Sequence, residues 1–261
     1  MTPTWMRQLN GDPLPWLEAS DDAALRYRVL IDLLDRPASD PEVREARAAI
    51  PTSPIVAAIV AAQHPEGYWA DAASTYRPKY RATHWQMILL AELGLEAGHP
   101  AVQRGLQRMA RAIADIGADD AIAQGEVLWC YTGNTLRYLG RFGLGASDGA
   151  VRAAERLLEL AATDRLWTCK HSDGSTCLWG AVKALRGLLA MPEAARPAGT
   201  RELMENAARH LLSFDYCAAT ANAGTTENGW ETDWLKFGFP SFYESDLLEA
   251  LDALAEAGYG G

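Results

Sequence analysis

Clusters of positive charge are missing from this chain. Of its 261 residues, 24 are Lys or Arg and 34 are Asp or Glu, which leaves a formal net charge of -10. Phosphate backbones and anionic lipid surfaces are held by gathered cations, so nucleic acid is not an expected partner. Long apolar runs are missing too. No segment approaches the roughly 20 uninterrupted apolar residues of a membrane span, and no transmembrane segment is expected. The opening MTPTWMRQLNGDPLP has no apolar core of signal-peptide length, which points to the cytoplasm. Cysteine is scarce: four in a chain this long do not make a disulfide framework. In a reducing compartment such residues are buried, catalytic or metal-bound. Strand-like alternation of any length is absent, which leaves an all-α class.

What is present is apolar mass and tryptophan. Hydrophobic residues make up 49% of the chain and nine are Trp, enough for a sizeable core and, with so much indole, for an aromatic-lined cavity or heavy apolar packing. A single domain over residues 1–261 is expected, with residues 1–20 as an N-terminal extension. Ser20, followed by Asp21 and Asp22, reads as a helix start, because a serine oxygen accepts free first-turn N–H groups and acids complement the positive helix end. Asp40 caps a second helix and Ser53-Pro54 opens a third.

Beyond these the chain repeats itself. Residues 90–102, LAELGLEAGHPAV, match residues 139–151, LGRFGLGASDGAV. Each has an apolar helix, a glycine turn and an amphipathic helix. LAEAGY at 254–259 is a third copy of the turn. KALRGLLAMPEAARP from Lys183 is a fourth, with Pro192 and Pro197 as breakers in place of glycine. The period of about 45 to 65 residues suits helical hairpins. The first helix of each unit has few charges and the second an Arg/Glu face, so two layers with the apolar helices inside are expected.

The segment Gln63-x3-Gly67-x-Trp69, followed by Thr83, Trp85 and the LLAELG helix, resembles the Q-x-G-x-W repeats of squalene cyclases and of protein prenyltransferases. CYTGNTLRYLGRFG, KHS-x4-CLWGAVKALRGL and WLKFGFPSFYESDLLEALDAL resemble bacterial prenyltransferase/squalene oxidase repeat proteins, from Trp16 onward. The resemblance implies an α/α toroid, whose parallel inner helices surround an apolar cavity that takes an apolar, isoprenoid-type substrate. The unit before Trp167 lacks the Gln and Gly, and the polar insertion ATANAGTTENG precedes Trp230. The resembling proteins continue past GYGG with another helix and repeat, so the last repeat reads as truncated and the ring as incomplete. A second copy in a homo-oligomer, a partner, or the segment around Trp5 and Trp16 would close it.

Parallel inner helices would open all their N-termini on one rim. Cys130, Cys169, His171 and Cys177 fall there, with Cys217 in the next loop. Thiolate and imidazole are ligands that zinc prefers, so Cys130, Cys169, His171 and Cys177 are candidate ligands of Zn2+, against a reading as ordinary half-buried side chains. Helix N-termini also stabilise thiolate. Trp85, Trp129, Tyr131, Trp179, Phe242 and Tyr243 are candidate substrate-binding groups, since aromatic faces shelter positive charge; His64 and Tyr80 share that rim. Asp246 and Glu244 are candidate proton donors, although an aspartate at a helix start is more often a cap. Paired aspartates in ADIGADDA at 114–121 lack the D-x-D-D arrangement of proton-initiated cyclases. Lys79, Arg81 and Lys170 could receive a diphosphate or stand solvated. Two functions follow: an enzyme of the terpenoid-cyclase and prenyltransferase kind, or a non-catalytic α/α scaffold that binds a lipid or a protein partner.

Overall fold

The computed structural model describes residues 4–114, 128–163, 166–168, 176–216 and 234–260. Among these residues every regular element is a helix. Short N-terminal helices come first: α1 (Leu14–Glu18), α2 (Ala23–Arg28), α3 (Pro41–Ala49) and α4 (Pro54–Ala61). They are followed by α5 (Thr83–Glu92), α6 (Pro100–Ala114), α7 (Leu128–Arg141), α8 (Asp148–Ala161), α9 (Leu178–Leu189), α10 (Thr200–Leu212) and α11 (Leu247–Leu254). No described helix is long and apolar enough to cross a membrane.

Local chemistry fixes the boundaries. Asp40 caps α3 through the Glu42 N–H. At α2 the cap is Asp22, whose carboxylate accepts from Ala24 and Leu25, and not Ser20, whose hydroxyl instead accepts from the Asp22 N–H. The acid is two residues closer to the orphan N–H groups. The repeated glycine turn has a common geometry. Gly94, Gly143 and Gly258 all have φ between 75° and 92°, a region that L side chains resist. After α5 and α7 the N–H groups of Leu95 and Leu144 reach back to the Leu90 and Leu139 carbonyls, the glycine-stopped end expected where a helix must turn sharply. Where α9 has Pro192 instead, the Arg196 guanidinium donates to the carbonyls of Leu188, Leu189 and Met191. Arg28 does the same for Ala91 and Glu92 at the end of α5.

Pairings between helices give their direction. His84 stacks on Tyr131 and, further along, Glu92 meets Arg137, so α5 and α7 run the same way. A Cβ on Gly180 would meet Trp129, one on Gly133 would run into the Lys183 carbonyl, and one on Gly140 into that of Ala190. Thus α7 and α9 are parallel and touch backbone to backbone, which is why glycine is tolerated at Gly133 despite its cost of about 1 kcal/mol. Lys183 with Glu249 and Arg186 with Asp252 extend the same direction to α11. The row α5, α7, α9, α11 is backed by α6, α8 and α10, each packed against the helix before it. The Q-x3-G-x-W segment joins the layers: the Gln63 side chain donates to the Ala101 carbonyl and accepts from Arg104, while the Trp69 indole donates to the Ile59 carbonyl. Trp69 and Trp167 are both buried, as packing residues. Trp16 stands 75% exposed, so that part of the N-terminal segment covers nothing here.

Candidate functional site

The first turns of α5 and α7 gather rings. His84 stacks on Tyr131 with centroids 4.2 Å apart. Trp85 meets Tyr243 edge-on at 4.8 Å and Phe242 at 5.3 Å, Tyr76 lies 5.2 Å from Trp85, and Tyr80 is 5.3 Å from Phe242. The Tyr243 and Tyr76 hydroxyls share a 2.6 Å hydrogen bond, and the Trp85 indole donates to the Tyr76 carbonyl. Trp85, Tyr131 and His84 have no exposed surface, so these rings fill one another's space. Trp129 is elsewhere, 4.6 Å from Trp167. Trp179 and Phe242 are half-buried. Four of the six expected substrate groups, Trp85, Tyr131, Phe242 and Tyr243, therefore share one aromatic cluster, whereas Trp129 packs between repeats.

His84 differs from Tyr76, Tyr243 and Trp85, whose polar atoms are hydrogen-bonded. Both ring nitrogens are buried without a hydrogen-bond partner among the described residues, and burial pushes its pKa down to about 3. The imidazole is thus neutral through the physiological range.

Of the expected zinc ligands, Cys169 and His171 lie outside the described residues, as do Cys217, Lys170 and most of the 114–121 run. Cys130 is buried in the first turn of α7. Cys177 is the N-cap residue of α9, its sulfur accepting from the Gly180 N–H at 3.4 Å. Among the described residues no three His, Cys, Asp or Glu side chains are grouped to hold a metal. Asp246 is the cap of α11: its carboxylate accepts from the Glu249 N–H at 2.8 Å and the Gly238 N–H at 3.1 Å. Glu244 is exposed, and Lys79 sits 5.8 Å from the Tyr243 ring centre.

Beside Trp85 and further along the same row of helices the interior changes from rings to ions. Lys183, with no exposed side-chain surface, donates to Glu249 at 2.6 Å and to the Ser241 carbonyl at 2.7 Å. Burial lowers the Lys183 pKa against the opposing pull of Glu249. Arg137 grips Glu92 through two nitrogens at 2.5 and 3.3 Å, and Arg141 approaches the same carboxylate at 3.5 Å. Burial alone would raise the Glu92 carboxyl, but Arg137 and Arg141 outweigh it and hold it at about 2. Arg186 contacts Asp252 at 2.7 Å and Glu249 at 3.6 Å; burial first, then the neighbouring Arg137, lowers its pKa.

A basin of about 330 Å³ opens against this network. Ile88, Asn134, Arg137, Arg186, Glu249 and Asp252 line it, and Phe239 and Leu248 stand in its wall at 68% and 59% exposure. The Asn134 amide is anchored by donating to the Phe242 carbonyl at 2.6 Å. None of these charged residues stood out in sequence, because one or two ions on an otherwise apolar helix carry no spacing that points to a partner. A signal was there nonetheless. Ile88, Arg137, Arg186 and Asp252 each lie six residues before Gly94, Gly143, Pro192 and Gly258, the residues that break their helices, and Trp85, Asn134, Lys183 and Glu249 each lie nine before. Equal distance from equivalent turns places residues at one level in parallel helices.

No family model, curated protein or solved structure matches this chain.

Proposed function

We propose that this protein is an α/α scaffold, the arc of an α/α toroid, that binds an apolar or amphipathic small molecule without carrying out chemistry on it. The observation that carries this reading is the basin among α5, α7, α9 and α11, whose walls combine exposed Phe239 and Leu248 with polar groups deeper in. Ligand sites are concave, mostly apolar and equipped with a few placed polar groups. Proton-initiated chemistry has little to work with at the expected positions: Asp246 is engaged with two backbone N–H groups and Glu244 faces solvent. The rings that would shelter a cation are buried and pack on one another.

The test uses Nile red, a neutral apolar dye that brightens on leaving water. Titration into wild type is expected to saturate. Phe239→Asp with Leu248→Asp is expected to weaken it at least tenfold while leaving the helical circular dichroism intact. Equal dye binding by the double variant removes the basin as the site.

A second reading keeps the terpenoid-cyclase and prenyltransferase resemblance, with a zinc ion at the helix mouths. It is favoured by the nearness of the α7 and α9 N-termini, where Cys130 and Cys177 stand on neighbouring helices; Cys169 and His171 would complete the ligands. Zinc analysis of protein purified without chelator decides it. A ratio near one that falls on Cys177→Ser supports the metal, and zinc-free wild type ends it.

A further inference from the structure

We propose that the basin receives a single carboxylate carried on an apolar chain, and that Asp252 occupies the carboxylate's place on Arg186 until the ligand arrives. This rests on the binding reading above and names the chemistry that the site selects. Arg186 lines the basin with its side chain only 8% exposed. Its Nε is buried and has no hydrogen-bond partner among the described residues. A buried donor without an acceptor costs about 1 to 3 kcal/mol, so an acceptor reaching Nε is favoured by the free protein's own deficit.

The three carboxylates around the two arginines are not equivalent. Glu249 is buried and shared with Lys183, and Glu92 is gripped by Arg137 through two nitrogens. Asp252 has a side chain 58% exposed and meets Arg186 through Nη2 alone. Asp252 alone can turn into water while an incoming carboxylate keeps Arg186 paired, so of the three it is the one that leaves at least cost. A ligand carboxylate in its stead can accept from Nε and Nη2 together, the two-point geometry that guanidinium and carboxylate share.

The exchange is one negative charge for another. A diphosphate would bring further negative charge against Glu92, Glu249 and Asp246, all of which line the same basin, and is disfavoured there. About 330 Å³ is at the small end of ligand sites. It holds the head and first carbons beside Ile88, leaving the remaining chain against Phe239 and Leu248.

Calorimetric titration with decanoate and with decanol, on wild type and on Asp252→Asn, tests the inference. Decanoate is expected to bind at least tenfold more tightly than decanol. Asp252→Asn, which removes the competing carboxylate at an exposed position, is expected to tighten decanoate several-fold and leave decanol unchanged. Arg186→Gln is expected to bring decanoate down to the decanol level, with dye binding preserved as the check on folding. Equal affinity for acid and alcohol, or weaker decanoate binding by Asp252→Asn, overturns the carboxylate site while leaving the apolar binding reading standing. Failure of both ligands to bind wild type removes the two together.

Discussion

Along α5, α7, α9 and α11 the interior is first made of rings, Tyr131 and Trp85 among them, and from the level of Trp85 onward of ions, Lys183 and Glu249 first, then Arg137 and Glu92. The two regions hold together for different reasons. In the aromatic region stabilisation comes from apolar area and edge-to-face contacts, which add up over many neighbours, so the loss of one contact is shared. In the ionic region each charge has been taken out of water and depends on one or two partners. A large local loss follows when any partner is removed. The contrast also bears on function: the rings are closed off from solvent, whereas ions with an incomplete set of partners border an open basin and leave a place for a ligand.

The largest effect should come from separating a buried pair. Glu249→Gln leaves the Lys183 ammonium short of its counter-charge, and urea unfolding is expected to show a loss of about 3 to 5 kcal/mol. Replacing both, Lys183→Met with Glu249→Leu, should recover most of it. If the single substitution costs under 1 kcal/mol, the two regions are not built differently. Glu92 comes next. Its folded pKa of about 2 lies below the ordinary carboxylate value, so its stabilisation is complete above pH 4.5 and disappears as pH falls toward 2. Glu92→Gln should therefore cost up to about 3 kcal/mol at pH 7 and little at pH 2. A cost that stays constant across that interval would remove the ion pair as its cause.

The aromatic region has its own acid response, set higher on the pH scale. Folded His84 takes a proton only near pH 3, whereas the unfolded chain takes it near 6.5, so stability is retained above 6.5 and lost on acidification toward 3. The slope is about 1.4 kcal/mol per pH unit. His84→Leu is expected to abolish about 2 kcal/mol of loss between pH 6.5 and 4.5, above most of the Glu92 interval. An unaltered slope in that window would mean that His84 is not the group responsible. The smallest change is expected at the joint between the regions. Asp246→Ala removes a helix cap, at about 1 to 2 kcal/mol; under a catalytic role for Asp246 it would abolish turnover at much smaller thermodynamic cost.

Much of the fold was legible because its signals are local. Gly94 and Gly143 announce helix ends whose geometry needs no distant partner, and the amphipathic faces of α6 and α8 show which side is buried. Asp22 in place of Ser20 is an error of two residues, since two good caps stood close together. The aromatic cluster was half legible: Trp85 and Tyr243 could be placed at one end of the helices, but their mutual closure depends on ring orientations that spacing does not encode. Arg137, Arg186 and Glu249 went unremarked because one or two charges on an apolar helix look like a solvated edge. Only counting back from four equivalent turns brings them to one level.

The chain alone determined that this is an all-helical body of repeated hairpins, because turn chemistry and apolar periodicity act within a few residues. Tertiary structure decided which charges meet and that the rings at Trp85 and Tyr131 come together. Those outcomes depend on distances between segments more than 40 residues apart, Glu92 to Arg137 and Lys183 to Glu249. Such distances are set by helix direction and packing depth.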